Sequence, residues 1–292
     1  MARLANAALE PRASIASRPG ADESIGEKLA WALNFAVLAP SKYNTQPWYF
    51  EITDGAVDVH ADGARALTEA DPYGREMLIG CGAALANLRL GIRALGYEPA
   101  VHLFPQRASF SHLARVRLGA ATPITADEQR LVDAVPRRHT QWMPLNGKDV
   151  PASLIESLVE AANREGAQLR FLTADVTAHV VDDVVDRRDR WEHPGDDSSL
   201  VALLWTAGDE PAEWLLAGQA VQMVLLRACV SDVHASFLNE PIESSDLRQQ
   251  LAQMLGISGF PQMMLRLGWG VGAACTPRRS AESVTFRDGG RV

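Results

Sequence analysis

The sequence predicts an α+β protein in which helices cover a mixed or antiparallel sheet, with the chain folded as two tandem halves. Helical and strand patterns are interspersed, and several strands are hairpin-linked, which favours this arrangement over a doubly wound parallel sheet. Each half also carries a similar long helix: Gly82, Leu85, Leu88 and Leu90 in the first are echoed by Gly218, Val221, Val224 and Leu225 in the second. The boundaries follow as a tail over 1–23, a first half over 24–135 and a second half over 136–292.

The first helix starts at Ser24, whose capping box closes three residues on at Glu27. Ile25, Leu29, Ala32, Leu33, Ala36 and Val37 recur at helical spacing until Pro40 ends the run. After a loop to Pro47, Trp48–Thr53 and Ala56–His60 flank Asp54-Gly55, a hairpin signal. A second helix begins at about Arg75 or Gly82 and runs to Leu95, with Gly96 as its stop. Strands are expected at Ala100–Phe104 and Leu113–Leu118. Thr125 and Glu128 form another capping box for a short helix ending at Pro136. In the second half, helices are expected at 151–164 and 174–191, with a strand at Gln168–Leu172 between them. Leu200–Thr206 reads as a buried strand, Glu213–Cys229 as a long helix and Ser245–Leu255 as a further helix stopped by Gly256. Met263, Leu265, Leu267 and Trp269 alternate with Arg266 and Gly268, the pattern of a half-buried strand.

Composition narrows the function. Apolar residues make up 47% of the 292, enough for a substantial core. The 28 basic and 36 acidic residues leave a net charge of −8, which argues against nucleic acid or a polybasic membrane contact. Cys81, Cys229 and Cys275 are odd in number and far apart, so neither a disulfide framework nor a zinc site is expected. The seven histidines show no ligand spacing, and no metal is expected. No uninterrupted apolar run reaches the ~18 residues of a membrane helix, and the first 22 residues lack a signal-peptide core, so the expected location is the cytoplasm.

Three segments hold candidate chemistry. Pro40-Ser41-Lys42-Tyr43-Asn44-Thr45-Gln46-Pro47-Trp48 crowds donors and acceptors into a helix-to-strand corner fixed by two prolines. Its residue chemistry fits either a polar turn or a ligand loop. Arg137-Arg138-His139-Thr140 and Pro277-Arg278-Arg279-Ser280 combine forked donors with a hydroxyl, which suits a phosphate; taken in isolation, either pair reads more readily as a solvated basic turn. Gly268-Trp269-Gly270-Val271-Gly272 is followed by no helix and is a weak match to a nucleotide loop.

Taken together, Ala39-Pro40-Ser41-x-x-Asn44-Thr45-Gln46-Pro47-Trp48, Asp71-Pro72-x-x-Arg75-Glu76-Met77-Leu78-Ile79-x-Cys81-Gly82-Ala83-Ala84-Leu85 and Thr276-Pro277-Arg278-Arg279 resemble the Acg family, flavoproteins of the nitroreductase superfamily. The resemblance runs from about residue 24 to 285. It implies a nitroreductase-like fold, FMN as cofactor, and a flavin site that ordinary nitroreductases build from two subunits. Here the two halves would pack as an intrachain pseudo-dimer, the chain being a monomer in that sense or a further homodimer. Carried over, Pro40, Ser41, Asn44 and Gln46 match the loop beside the flavin ring. Arg138, Thr140 and Arg278 or its neighbour Arg279 match the phosphate anchors. Leu238 and Asn239 lie where a backbone N–H meets flavin N5. No side chain is needed as a catalytic acid or base, because the flavin carries the chemistry.

The resemblance also sets a count. Arg12-Ala13-Ser14-Ile15 is a decayed phosphate turn, and Asn163-Arg164-Glu165-Gly166 stands where a second ring loop would be, so one flavin per chain is expected. Trp142 replaces a usual second cation, and the stretch from Asp186 to Gly195 is a shortened form of the lid such proteins carry. The implied function is an FMN-dependent oxidoreductase passing electrons from NAD(P)H to a nitro, quinone or similar small acceptor. The alternative is a non-catalytic FMN store.

Overall fold

A computed structural model describes residues 17–106, 111–141, 150–178, 199–270, 276–287 and 290–291, with Ile15 and Leu145. Helix α1 (Ile25–Ala36) opens with the expected box: Ser24 Oγ accepts from the Glu27 N–H at 3.2 Å, and Glu27 accepts from the Ser24 N–H at 2.8 Å. Strands β1 (Trp48–Thr53) and β2 (Ala56–Ala61) form the hairpin, whose turn residues Asp54 and Gly55 both take positive φ, 51° and 68°. Helix α2 (Arg75–Ala94) takes the earlier of its two possible starts and stops at Gly96, φ 79°. Strands β3 (Tyr97–Leu103) and β4 (His112–Ala121) pair antiparallel, and α3 (Ala126–Ala134) carries the second capping box.

The second half contributes α4 (Ala152–Arg164), β5 (Gln168–Leu172), β6 (Leu200–Thr206), α5 (Pro211–Val230), β7 (His234–Phe237), α6 (Ser245–Met254) and β8 (Phe260–Gly268). The helix expected at 174–191 is described at 174–178; the rest lies outside the described residues, as do Cys275, Trp142, Arg12 to Ser14 and the segment from Asp186 to Gly195.

Two sheets result. One has the order β5-β6-β8-β7 and is antiparallel throughout. The other has the order β10-β9-β1-β2-β4-β3, where β9 (Thr285–Arg287) and β10 (Gly290–Arg291) come back from the C-terminus to the first half, β9 lying parallel to β1. That return draws the 276–279 segment across to the first half.

Strand β8 departs from its half-buried expectation. Met264, on the face opposite Met263 and Leu265, is fully buried with Leu203, Ile242 and Leu251, because α6 and the turn before it cover that side. On the outer face of β2, Asp58 and His60 are also buried. Asp58 holds Arg115 at 2.6 and 2.9 Å and His112 at 2.7 Å, and His60 stacks between His112 and Tyr49.

The halves meet where α2 crosses α5. A Cβ on Gly82 would lie 2.1 Å from the Leu215 carbonyl oxygen, and one on Gly218 would lie 2.0 Å from that of Ile79. Each glycine thus faces the carbonyl three positions before the other, a reciprocal contact of the kind a two-fold axis generates. The apolar cores repeat the exchange: Leu215 packs into the first half's core and Ile79 into the second's. α2 is long and apolar enough to cross a membrane by length and composition, and 83% of that stretch is buried inside the protein.

Candidate functional site

The 40–47 loop leaves α1 at Leu38 and reaches β1 through a single turn of 3-10 helix, Lys42–Asn44. Tyr43, Asn44 and Gln46 take φ of 49°, 57° and 49°. Asparagine tolerates this region, whereas tyrosine and glutamine enter it at a cost of about 1–3 kcal/mol each. Something must hold them there. Ser41 Oγ accepts from the Gln46 N–H at 2.8 Å, which closes the loop on itself. Gly80 of α2 comes close beneath it, and the Cys81 thiol donates to the Pro47 carbonyl at 3.2 Å. Burial pushes the Cys81 thiol far above its ordinary value, so it stays protonated and serves as that donor.

The second half grips the same loop from outside. Arg278 donates to Asn44 Oδ1 at 2.9 Å, and Asn44 Nδ2 donates to the Pro277 carbonyl at 3.0 Å. The Arg279 N–H donates to Gln46 Oε1 at 2.7 Å, and its guanidinium reaches the Gln46 carbonyl at 3.2 Å. Arg138, 3% exposed, donates to the Leu38 carbonyl at 3.2 Å, two residues before Pro40. The structure therefore brings Pro40, Ser41, Asn44, Gln46, Arg138, Arg278 and Arg279 to one corner. Thr140 is placed beside β7, bridged to Ala235, rather than on the loop. The turn after β7 holds Leu238 and Asn239. The Leu238 N–H already donates to the Met264 carbonyl at 3.0 Å, so an N–H offered to a ring at this turn is not Leu238's.

Asp71, Arg75 and Glu76, quoted above only as part of a sequence resemblance, have definite work at this corner. Asp71 accepts from the Met77 N–H at 2.8 Å and caps α2. Arg75, 5% exposed, donates to the Gln262 carbonyl at 2.6 Å and the Ile242 carbonyl at 3.3 Å, tying α2 to the second half. Glu76 pairs with Lys42 of the loop and accepts from Asn239 at 3.0 Å. Lys42 also pairs with Glu243 at 2.8 Å; burial works against its charge, but these two carboxylates more than offset that and raise its pKa. Sequence reasoning missed this network, whose one local signal is a charged Arg-Glu pair opening a helix that is apolar for its next ten residues.

The matching corner in the second half is different. α4 ends at Arg164 and β5 begins at Gln168, with Gly166 at φ 84° turning the chain. Glu165 of this turn holds Arg89 of α2 at 2.6 Å. No ring-side loop stands here.

A cavity of about 490 Å³ lies elsewhere, between α2, α3, α4 and α5. Its arginines are met by carboxylates: Arg89 by Glu165, Arg93 by Glu128, Arg164 by Glu160 and Arg227 by Asp127. Arg93 and the Thr125 cap hold the Glu128 carboxyl down to about 2 from an ordinary 4.5. A lowered folded-state pKa means this group's stabilisation is complete above about pH 4.5 and is lost as pH falls toward 2. Glu128→Gln should therefore flatten the loss of stability between pH 5 and 3, by on the order of 1 kcal/mol given partial solvent screening. Urea midpoints of both proteins at the two pH values check this, and parallel curves would refute it.

No family model matches the chain. Proteins of Mycobacterium tuberculosis do, among them the following two. "Putative NAD(P)H nitroreductase Rv3131" is 28% identical over 313 residues, covering 88% of this chain and 91% of the relative. "Putative NAD(P)H nitroreductase acg" is 27% identical over 309 residues, covering 87% and 93%. The crystal structure of a "putative nitroreductase" from Anabaena variabilis superposes with a TM-score of 0.62 at 12% identity, over 84% of this chain and 88% of that one. The chain is similar in sequence to the Acg protein and has the nitroreductase fold. In this chain the three segments that carry the sequence resemblance come together in space, with the 71–82 segment beneath the 40–47 loop and the 276–279 segment against it.

Proposed function

We propose that the chain binds one FMN where its halves meet and is an oxidoreductase of the nitroreductase type. Electrons pass from NADH or NADPH to a nitro, quinone or similar small acceptor. The observation that carries this reading is the strained loop of the first half, gripped by arginines of the second. Backbone strain persists only where the surroundings over-determine it, and it concentrates at ligand sites. The reciprocal Gly82–Gly218 crossing supports treating the halves as a pseudo-dimer.

The donor set fits FMN. Guanidiniums and the Thr140 hydroxyl suit a phosphate. The Ser41 hydroxyl and the Asn44 and Gln46 carboxamides suit the carbonyls and nitrogens at a flavin ring edge. Ser41 Oγ accepts from Gln46, which leaves its proton to donate. Arg138, Thr140 and Arg278 or Arg279 would hold the phosphate, Pro40, Ser41, Asn44 and Gln46 would hold the ring, and the Asn239 turn would border it. When bound, the flavin supplies hydride and electron transfer, and the chain binds and orients.

The test is oxidation of NADH or NADPH by the FMN-loaded protein with a nitrofuran or quinone acceptor. The expected result is turnover that needs both FMN and acceptor. Bound FMN with no turnover from either donor would replace this reading with the storage protein, which the missing loop at 165–167 already favours as a second reading.

A further inference from the structure

We propose that Glu76 is a positioning residue that fixes the gap between the two walls of the flavin site; this rests on the flavin reading above. Glu76 is 6% exposed in the first turn of α2. One carboxylate oxygen accepts from Asn239 Nδ2 at 3.0 Å, and the other pairs with the Lys42 ammonium. Lys42 follows Ser41 in the ring-side loop, and Asn239 sits in the opposing turn. One side chain thus touches both walls.

Each end of this clamp is itself held. Lys42 also bonds to Glu243 at 2.8 Å and the Ala70 carbonyl at 3.4 Å. Asn239 Oδ1 accepts from the Met264 N–H at 3.3 Å. The helix beneath is fixed by the Asp71 cap and by Arg75 on the Gln262 carbonyl. A buried ion pair of this kind adds little net stability, yet losing one partner leaves the other charge buried and forces its segment to move. That makes it a determinant of geometry.

Glu76→Gln keeps the shape but removes the charge and leaves one oxygen for two donors, so one arm meets an NH2 group and the other loses its carboxylate, weakening both. Asn239→Leu cuts the other arm, and Glu243→Gln is the control, since that exposed carboxylate holds Lys42 without reaching Asn239. Two readouts separate positioning from plain stability. Amide hydrogen exchange without FMN should speed up in both 40–47 and 239–243 in Glu76→Gln, and stay near wild type in Glu243→Gln. FMN affinity, read by flavin fluorescence, should fall roughly tenfold in Glu76→Gln and change about twofold or less in the control. The penalties of Glu76→Gln and Asn239→Leu should combine to less than their sum in the double variant, because the arms act through one carboxylate. Exchange that changes in one segment only, or penalties that add in the double variant, would overturn the clamp. Should Glu76→Gln not fold, Asn239→Leu alone must loosen both segments for the clamp to stand. A wild-type protein that takes up no FMN would overturn the flavin reading, while the exchange comparison still decides the clamp.

Discussion

Gly218→Ala should destabilise the protein by about 3 kcal/mol or more, because the added methyl has nowhere to go. Its Cβ would lie 2.0 Å from the Ile79 carbonyl oxygen and 2.9 Å from the Gly82 Cα, both backbone atoms on the facing helix. A flexible side chain could rotate away; a helix backbone must translate. Moving α2 off α5 opens the seam filled by Leu215 and Ile79, so core burial is lost together with the clash. Overpacking in cores typically costs about 1–3 kcal/mol and occasionally more, and a backbone contact this short belongs at the upper end. In thermal unfolding that is a fall of roughly 6–12 °C. Gly82→Ala should behave alike, since its Cβ would meet the Leu215 carbonyl at 2.1 Å. Gly26→Ala is the control: its nearest neighbour would be Ser24 Oγ at 3.9 Å, and alanine there should be neutral or stabilising by up to about 1 kcal/mol. Equal melting temperatures for Gly218→Ala and Gly26→Ala would mean the helices are not in contact as described.

Arg138→Ala should weaken FMN binding by roughly tenfold or more. A charged hydrogen bond to phosphate is worth about 1.5–3 kcal/mol, and each 1.4 kcal/mol is a factor of ten. The side chain is 3% exposed and tied to the Leu38 carbonyl, so it is already held at the start of the loop before any ligand arrives. Its loss should act twice, through the missing donor and through a loosened loop. Arg138→Lys separates the two, keeping a charge without the fork, and should fall between wild type and alanine. Fluorescence titration with FMN checks the series. Unchanged affinity in a folded Arg138→Ala protein would move the phosphate anchor elsewhere.

Much of the fold was legible because its signals are local. The Ser24–Glu27 and Thr125–Glu128 boxes announce α1 and α3 within four residues each, and Asp54-Gly55 announces the β1–β2 hairpin. What was missed depends on distant partners. β9 is three residues long and pairs in parallel with β1, more than 200 positions away, so no periodicity marks it. β7 is four residues of His-Ala-Ser-Phe, which gains its strand character from β8. β8 itself was read from its alternation as covered on one side, whereas α6 folds back over the other.

The corner divides the same way. The prolines and amides of the 40–47 loop are conspicuous as composition, but their positive φ values are not. The Glu76 network left only the Arg-Glu pair at the start of α2 as a trace, because Lys42, Glu76, Asn239 and Glu243 meet only through the packing of both halves. Arg75 is in the same position, since its carbonyl partners lie in the second half, whereas the Asp71 cap is local to the start of α2.

Equilibrium dialysis of the purified chain against FMN, with bound flavin counted per polypeptide, tests the central claim most directly. A loop present after α1 and missing after α4, with arginines gathered on the first corner, calls for saturation at one flavin per chain. Saturation near two, or no retained flavin at any concentration, would contradict it.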